Sequence, residues 1–417
     1  MKLFSSATSY LGIDIGTSSI KMVELENYKG QARLKTYGYA EVSTNVLRGN
    51  IEKNNQLVAD YINSIARKSQ VQTRQVVAAL PTFSVFNFII NLPPMPKKDL
   101  TSAIKWEAKK FIPVPIEEMI LDWKILNKKK VDNINKKSKG ASDDGLLSSE
   151  AEKAGENKAV STEKNQELLD KLEEVGVETT KAGAKLEKDQ GKSKLEVVEY
   201  KSKKSEKNYR ILLTAAPKNL VARYIDIFKR GKFNLLSLET EAFALSRSLI
   251  GNDLSTVMVV DIGATTADIC IIEQGVPILN RGIDTGGEFI TKTIMNSLNV
   301  NQERAEQFKR DFGLSDVGSY KNVPDVIQKS LNAVISEIKY VFELYQRQGT
   351  AKIDKIILTG GSAFLPNLPN YLSELLDLPV VIGDPWDRII YPLDLKPILQ
   401  EIGPRMGAAV GLAMRDI

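Results

Sequence analysis

The run "LGIDIGTSSIKMVELE" at residues 11–26 is echoed by "MVVDIGATTADICIIE" at 258–273. In each, an apolar run ends in an aspartate, a glycine and a hydroxyl-rich turn follow, and an apolar run returns. Asp14, Gly16 and Ser19 correspond to Asp261, Gly263 and Thr266, whereas Lys21 corresponds to Asp268. A strand–turn–strand of this composition suits phosphate. Gly16 permits a tight bend with its N–H facing outward, and Thr17, Ser18 and Ser19 add hydroxyls and further N–H donors to form an oxyanion cradle. Asp14 cannot face a polyphosphate without an intervening cation, of which Mg²⁺ with retained waters is the simplest. Lys21 on the returning strand could reach a phosphate as a point charge. In the second copy Asp261 would face the same cation, while Thr265 and Thr266, in the turn that begins at Gly263 and Ala264, would hold the terminal phosphate. Asp268 fits there as an anchor for the turn or as an outer-sphere metal group. A single Asp–x–Gly turn is ordinary turn chemistry. Two at matching strand positions point to one polyphosphate–Mg²⁺ closed on from opposite sides.

A third element, "IDKIILTGGSAFLPNL", runs a buried strand into Gly360, Gly361 and Ser362 before a helix. Paired glycines at such a turn allow close backbone approach to a flat ligand such as an adenine–ribose unit.

The elements that must position these turns follow from periodicity. Strands are predicted at "YLGIDIG", "IKMVELE" and "QVVAALP" in the first half, and at "TVMVVDIG", "ADICIIEQG", "VPILNRGID" and "IDKIILTGG" in the second. Helices are predicted at "EFITKTIMNSL", "QERAEQFKRDF" and "VIQKSLNAVISEIKYVFELYQRQ". Between the halves, "FNFIINLP", "KKDLTSAIKWEAKKF", "ILDWKIL", "RILLTAAP" and "LVARYIDIFKRG" read as β-α-β-β-α, with Gly231 as the C-terminal stop of the last helix. The central hairpin carries residues 128–208, rich in lysine and acids of mixed sign and with Tyr200 as its single aromatic side chain. Such composition buries too little apolar surface to offset its ordering entropy, so a disordered insertion is expected, with a transient helix in "EKNQELLDKLEEV". The expected organisation is a first lobe at 1–83, an inserted α+β subdomain at 84–232 carrying that insertion, and a return to the first lobe at 233–255. A second lobe at 256–392 follows, and residues 393–417 pack back near the first.

Composition narrows the chemistry. The chain has 417 residues, 42% of them hydrophobic and 26% charged, which fits two sizeable globular domains. Histidine is absent, which removes Ser–His and Cys–His catalysis and most transition-metal sites. Cys270 is the single cysteine, so no intramolecular disulfide forms, and its apolar neighbours make it a core residue. A formal charge of +5 carries no nucleic-acid signature. Neither a signal peptide nor a membrane-spanning run is expected.

In this order the motifs resemble the actin-like ATPase superfamily, with its duplicated, ribonuclease-H-like, two-lobed α/β fold. Within it, "IKWEAKKFIPVPIEEMILDW", "ETEAFALSRSL", "DTGGEFIT", "AEQFK" and "MGAAVGLAMR" make the chain similar to the PilM family of type IV pilus assembly. The resemblance implies ATP and Mg²⁺ as cofactors, with Asp14 and Asp261 on the metal. It also implies adenosine contacts by Glu306 and Lys309, a nucleotide-side turn at Gly286 and Gly287 before a helix whose dipole favours anions, and an adenosine motif at Gly360, Gly361 and Ser362. Turnover, slow at most, would use Glu239 in "LETEAFAL" to orient water, with Glu241 as the second candidate. The proline that chaperone-type relatives place there is absent. The implied partner is the N-terminal cytoplasmic peptide of a PilN-type single-span membrane protein, lodged in a groove offered by Trp106, Phe111, Ile112 and Val114. The implied place is a cytoplasmic scaffold, peripheral to the inner membrane through proteins of the pilus platform. The alternatives are an FtsA-like division protein, which would add an amphipathic membrane helix beyond "GLAMRDI", and an actin-like ATPase or kinase with real turnover.

Overall fold

The computed structural model describes residues 9–44, 46, 51–126, 208–315, 322–347 and 352–417. Residues 128–207, including the helix expected in "EKNQELLDKLEEV", lie outside the described residues.

The first half opens with β1 (Ser9–Ile15), β2 (Ser19–Tyr28) and β3 (Gln31–Glu41), followed by helix α1 (Ile51–Lys68) and β4 (Gln75–Leu80). The chain then leaves this sheet through β5 (Phe86–Leu92), α2 (Lys97–Ala108), β6 (Met119–Ile125), β7 (Tyr209–Pro217) and α3 (Lys218–Arg230), and returns as β8 (Asn234–Thr240). A short helix, α4 (Glu241–Leu245), leads to β9 (Val257–Ile262), β10 (Ala267–Glu273) and β11 (Val276–Ile283). Helices α5 (Gly287–Leu298), α6 (Gln302–Asp311) and α7 (Asn322–Arg347) come next. The chain closes with β12 (Lys355–Thr359), α8 (Leu368–Leu376), β13 (Val380–Ile382) and α9 (Lys396–Ala413).

The strand orders are β3-β2-β1-β4-β8 and β11-β10-β9-β12-β13, the same plan used twice, and β5-β7-β6 forms a separate three-stranded sheet. In both large sheets the first hairpin is antiparallel and the strand beside it pairs parallel. Parallel pairing needs a covered crossover on each face, which explains why the central strands are apolar throughout rather than alternating.

Period two sorts the side chains. Leu11, Ile13 and Ile15 face a core shared with α1 and α3. Val23 and Leu25 pack on α9 through Leu399, Ile402, Met406 and Ala409. In the second half, Met258, Val260 and Ile262 face α5, α6 and α7. Val257 and Val259 face α4 and Ala408 of α9. Helices α4 and α9 therefore lie between the two sheets. Asp14 shares parity with Gly12, against α9, and Asp261 shares parity with Val257 and Val259. Each aspartate is carried by the face of its sheet that looks toward the other.

Gly12 and Gly411 make this layer possible. A Cβ at Gly12 would strike the Ala409 carbonyl, and one at Gly411 the Ala244 carbonyl. One expected terminus differs in detail. Gly231 caps α3 with φ −71°, and the left-handed residue is Lys232 at φ 58°. The chain turns one residue later than a glycine stop implies, after the Gly231 N–H has bonded the Ile227 carbonyl at 2.9 Å.

Candidate functional site

Both repeated turns open onto one cleft of about 440 Å³. Asp14, Gly16, Thr17, Ser18, Ser19 and Lys21 line it from the first half, and Asp261, Gly263, Ala264, Thr266 and Asp268 from the second. The turns are closed alike: the Gly16 N–H bonds the Ser19 carbonyl at 3.0 Å, and the Gly263 N–H bonds the Thr266 carbonyl at 2.9 Å. The glycine N–H is thus spent on the turn rather than turned outward, and neither glycine takes a left-handed φ.

The lysine-to-aspartate exchange has a direct geometric meaning. Lys21 is the cross-strand partner of Asp14, and Asp268 that of Asp261. The first pair is an ion pair at 2.7 Å. Burial opposes the charge on Lys21, but Asp14, Asp261 and Glu241 outweigh it and raise its pKa. The second pair sets two acids side by side. Burial, with Lys21 and Asp14 acting in opposite directions, leaves Asp261 raised to about 6. Burial and the charges of Asp261 and Asp284 raise Asp268 to about 8.

The cleft presents five carboxyl groups (Asp14, Glu241, Asp261, Asp268 and Asp284) and two cationic side chains, Lys21 and Arg223. Of the lining groups, Asp14 Oδ1 and Asp268 Oδ1 are buried without a hydrogen-bond partner; Thr265 Oγ1 of the second turn is also unpartnered but does not line the cleft. Buried polar atoms in proteins are nearly always satisfied, so two unpartnered carboxylate oxygens on this wall suit a cationic guest.

Glu239 is not among the groups that reach the cleft. Its parity on β8 turns it toward α9, where Arg247 binds it at 2.9 and 2.8 Å while also donating to the Gly411 carbonyl. The acid that does line the cleft is Glu241, the second candidate. It accepts from Thr82 Oγ1 at 3.1 Å. Burial, and then the charges of Asp14, Asp268 and Asp261, raise its pKa well above the usual range.

The residues expected to contact adenosine form a neighbouring cluster rather than part of the cleft wall. Lys309 Nζ donates to Glu306 Oε1 at 2.8 Å, to Thr291 Oγ1 at 2.8 Å and to the Gly287 carbonyl at 3.2 Å. Gly286 is pressed against the Gly263 and Ala264 backbone, and Gly287 lies beside Ser362. The first N–H groups of α5 are spent on the second turn: Gly287 N–H bonds the Gly263 carbonyl at 2.9 Å and Glu288 N–H the Ala264 carbonyl at 2.8 Å. Gly360 takes φ 84°, where a Cβ would meet Asp261 and the Ile262 backbone. Here its glycine serves the approach of two protein segments. Gly361 is exposed beside Arg405.

The four candidate partner residues divide. Trp106, Phe111 and Val114 are exposed, at 65%, 51% and 41%. Ile112 is instead a core residue of the β5–β7 subdomain, packed with Ile104, Ala108 and Met119. Phe111 lies 5.1 Å from Phe88, and Lys110 sits over the Trp106 ring at 4.2 Å.

Sequence reasoning missed the cleft residues of α3, namely Leu220, Arg223, Tyr224 and Ile227, together with Phe83, Ser84, Asp284 and Ala408. "LVARYIDIFKRG" carries a helical period and no ligand motif, so its arrival at the cleft could not be read locally.

Two five-stranded sheets of the same order, each giving an acidic turn to a cleft between them, define an actin-like protein of the two-lobed ATPase fold. The family sequence profile described as type IV pilus assembly protein PilM matches residues 12–139 and 189–417, and the chain belongs to that family. The solved PilM-PilN type IV pilus biogenesis complex has a chain that aligns with a TM-score of 0.70 at 22% identity, covering 98% of this chain and 99% of that one. Cell division protein FtsA of Neisseria meningitidis is 29% identical over 185 residues, which is 37% of this chain and 41% of FtsA. Cell shape-determining protein MreB of Escherichia coli is 24% identical over 177 residues, 35% of this chain and 51% of MreB. The chain thus spans about half or less of these two curated relatives. Among the described residues no helix is long and apolar enough to cross a membrane.

Proposed function

We propose that this chain binds ATP with Mg²⁺ in the interlobe cleft and works as a scaffold of the type IV pilus inner-membrane platform. The observation that carries the reading is the meeting of both repeated turns, with their orphaned buried oxygens, at one cleft of about 440 Å³. That volume suits a small-molecule ligand. Five carboxyls cannot receive a polyphosphate directly, so a divalent cation must stand between. Among the described residues no three acidic, histidine or cysteine side chains cluster as a metal cage. The cation would therefore keep water and phosphate ligands, with Asp14 and Asp261 facing it, as is usual for Mg²⁺. Bound there, it would neutralise the charge that the phosphates bring. Of the two acids in "LETEAFAL", Glu241 is the one positioned to orient water, and any turnover would be slow.

The partner in this reading is the N-terminal cytoplasmic peptide of a PilN-type membrane protein. Trp106, Phe111 and Val114 offer the exposed apolar surface that a short apolar peptide needs. Membership of the PilM family supports this choice over an FtsA-like role at the membrane. Asp14→Ala combined with Asp261→Ala is expected to abolish nucleotide retention through gel filtration, and unchanged retention would refute the cleft assignment. Titration calorimetry of the PilN-type peptide, with and without Mg²⁺–ATP, should give measurable heat at micromolar concentration. Flotation with liposomes in the absence of partners would instead favour the division-protein reading.

A further inference from the structure

Among the described residues the cleft is lined by two cations, and both have protein partners: Lys21 pairs with Asp14 at 2.7 Å. The other, Arg223, comes from α3, the helix that directly follows β7 of the three-stranded subdomain. Its anchoring is built in. Arg223 Nε donates to Asn55 Oδ1 at 3.3 Å. Asn55 on α1 is only 3% exposed, and its Nδ2 donates to Asp226 Oδ2 at 2.7 Å. Asp226 in turn accepts from Arg230 at 2.8 Å. Hydrogen bonding to Arg230 and Asn55 outweighs its desolvation and lowers its pKa, so it stays ionised as the base of this chain of contacts. A guanidinium restrained through Nε loses less freedom on binding an oxyanion than a mobile lysine would.

The position of Arg223 along the cleft selects its ligand. The wall it shares includes Thr17, Ser18 and Ser19 but none of Gly286, Glu306, Lys309 or Ser362. A nucleotide whose base lay toward Glu306 and Lys309 would keep its phosphates, rather than its base, on the wall that Arg223 shares.

We propose that Arg223 binds the terminal phosphate of the nucleotide and so distinguishes triphosphate from diphosphate. This rests on the nucleotide reading of the cleft. It adds a residue from outside the repeated turns, on a helix whose register carries no phosphate motif. Arginine meets phosphate with paired, charge-assisted hydrogen bonds. Helix α3 packs in the first-lobe core through Val221, Tyr224, Ile227 and Phe228, so Arg223 is carried by the same lobe as the first turn.

The test is the affinity of the full chain for Mg²⁺–ATP and Mg²⁺–ADP, by calorimetry, in wild type, Arg223→Ala, Arg223→Gln and Arg223→Lys. Loss of a charged hydrogen-bond pair predicts ATP binding weakened about tenfold or more. ADP binding should change by less than about twofold, with Arg223→Lys intermediate. Equal loss for both nucleotides, or no loss for either, overturns the assignment. Should Arg223→Ala fail to fold, the near-isosteric Gln and Lys variants give the same ATP-to-ADP ratio. If wild type binds neither nucleotide, the cleft reading itself falls, an outcome distinct from the failure of Arg223.

Discussion

Lys21 and Asp268 hold equivalent places in the two halves, yet one neutralises its strand neighbour and the other crowds it. Crowding has a thermodynamic signature. An unfolded aspartate titrates near pH ~3.9, whereas the folded chain raises Asp261 to about 6 and Asp268 to about 8. Across that window the folded state holds more protons than the unfolded one, so ligand-free stability falls as pH rises and the penalty is complete above the Asp268 value. Melting of the ligand-free protein should accordingly occur at a lower temperature at pH 8 than at pH 5. Asp268→Asn should melt higher than wild type at pH 8 and show a flatter pH dependence. An unchanged slope in that variant would remove the two-acid account. Lys21, with its pKa raised, contributes its stabilisation throughout this range and loses it only in strong alkali.

At the scale of elements, α9 is the part on which both lobes depend. It packs on β1 and β2 with one side and contributes Ala408 to the core behind β9 with another. Its small residues, "MGAAVGLA", bring backbone within reach of backbone, and Gly12 of β1 is the matching depression. Gly12→Ala and Gly411→Ala should each destabilise by about 1–3 kcal/mol or more, because the carbonyls they would meet cannot yield as a flexible side chain does. Urea unfolding checks this, and a loss below ~0.5 kcal/mol would mean that α9 can shift away. The β5–β7 subdomain divides in the same way. Ile112→Ala opens a cavity in its core and should cost about 2–5 kcal/mol. Trp106→Ala at the exposed face should leave the melting curve nearly unchanged while weakening peptide binding.

For the whole molecule the question is what holds the lobes around the cleft. The subdomain and the turn that precedes it both reach the second lobe: Arg210 of β7 forks onto Glu273 of β10 at 3.1 and 2.9 Å, and Phe83 of that turn lies against Gly282 of β11. Both partners of the ion pair are partly exposed, so the bridge contributes at most about 1 kcal/mol. Glu273→Gln should therefore barely move the melting temperature. If the proposed nucleotide leaves by parting of the lobes, its release should quicken by up to about fivefold, as stopped-flow with a fluorescent ATP analogue would measure. Equal release rates would show that the bridge does not restrain opening. If peptide and ATP favour the same closed arrangement, each must tighten the other by one common factor.

Much of this protein was legible along the chain because strands and turns are local. The repeat announced a duplicated plan with Asp14 and Asp261 at matching strand positions, and the β-α-β-β-α order of the inserted subdomain followed from periodicity alone. What packing decided lies wherever residues distant in sequence compete for one space. Resemblance makes Glu239 the better candidate to orient water and Glu241 the second, until Arg247 is seen to pair with Glu239. Ile112 is indistinguishable from its exposed neighbours until α2 closes over the small sheet. Arg223 is one more helical cation until Asn55, far away in sequence, ties it at the cleft. Side-chain direction along a strand is set by backbone geometry within a few residues. The partner a side chain meets depends on how whole layers come together, and no short window of sequence contains that.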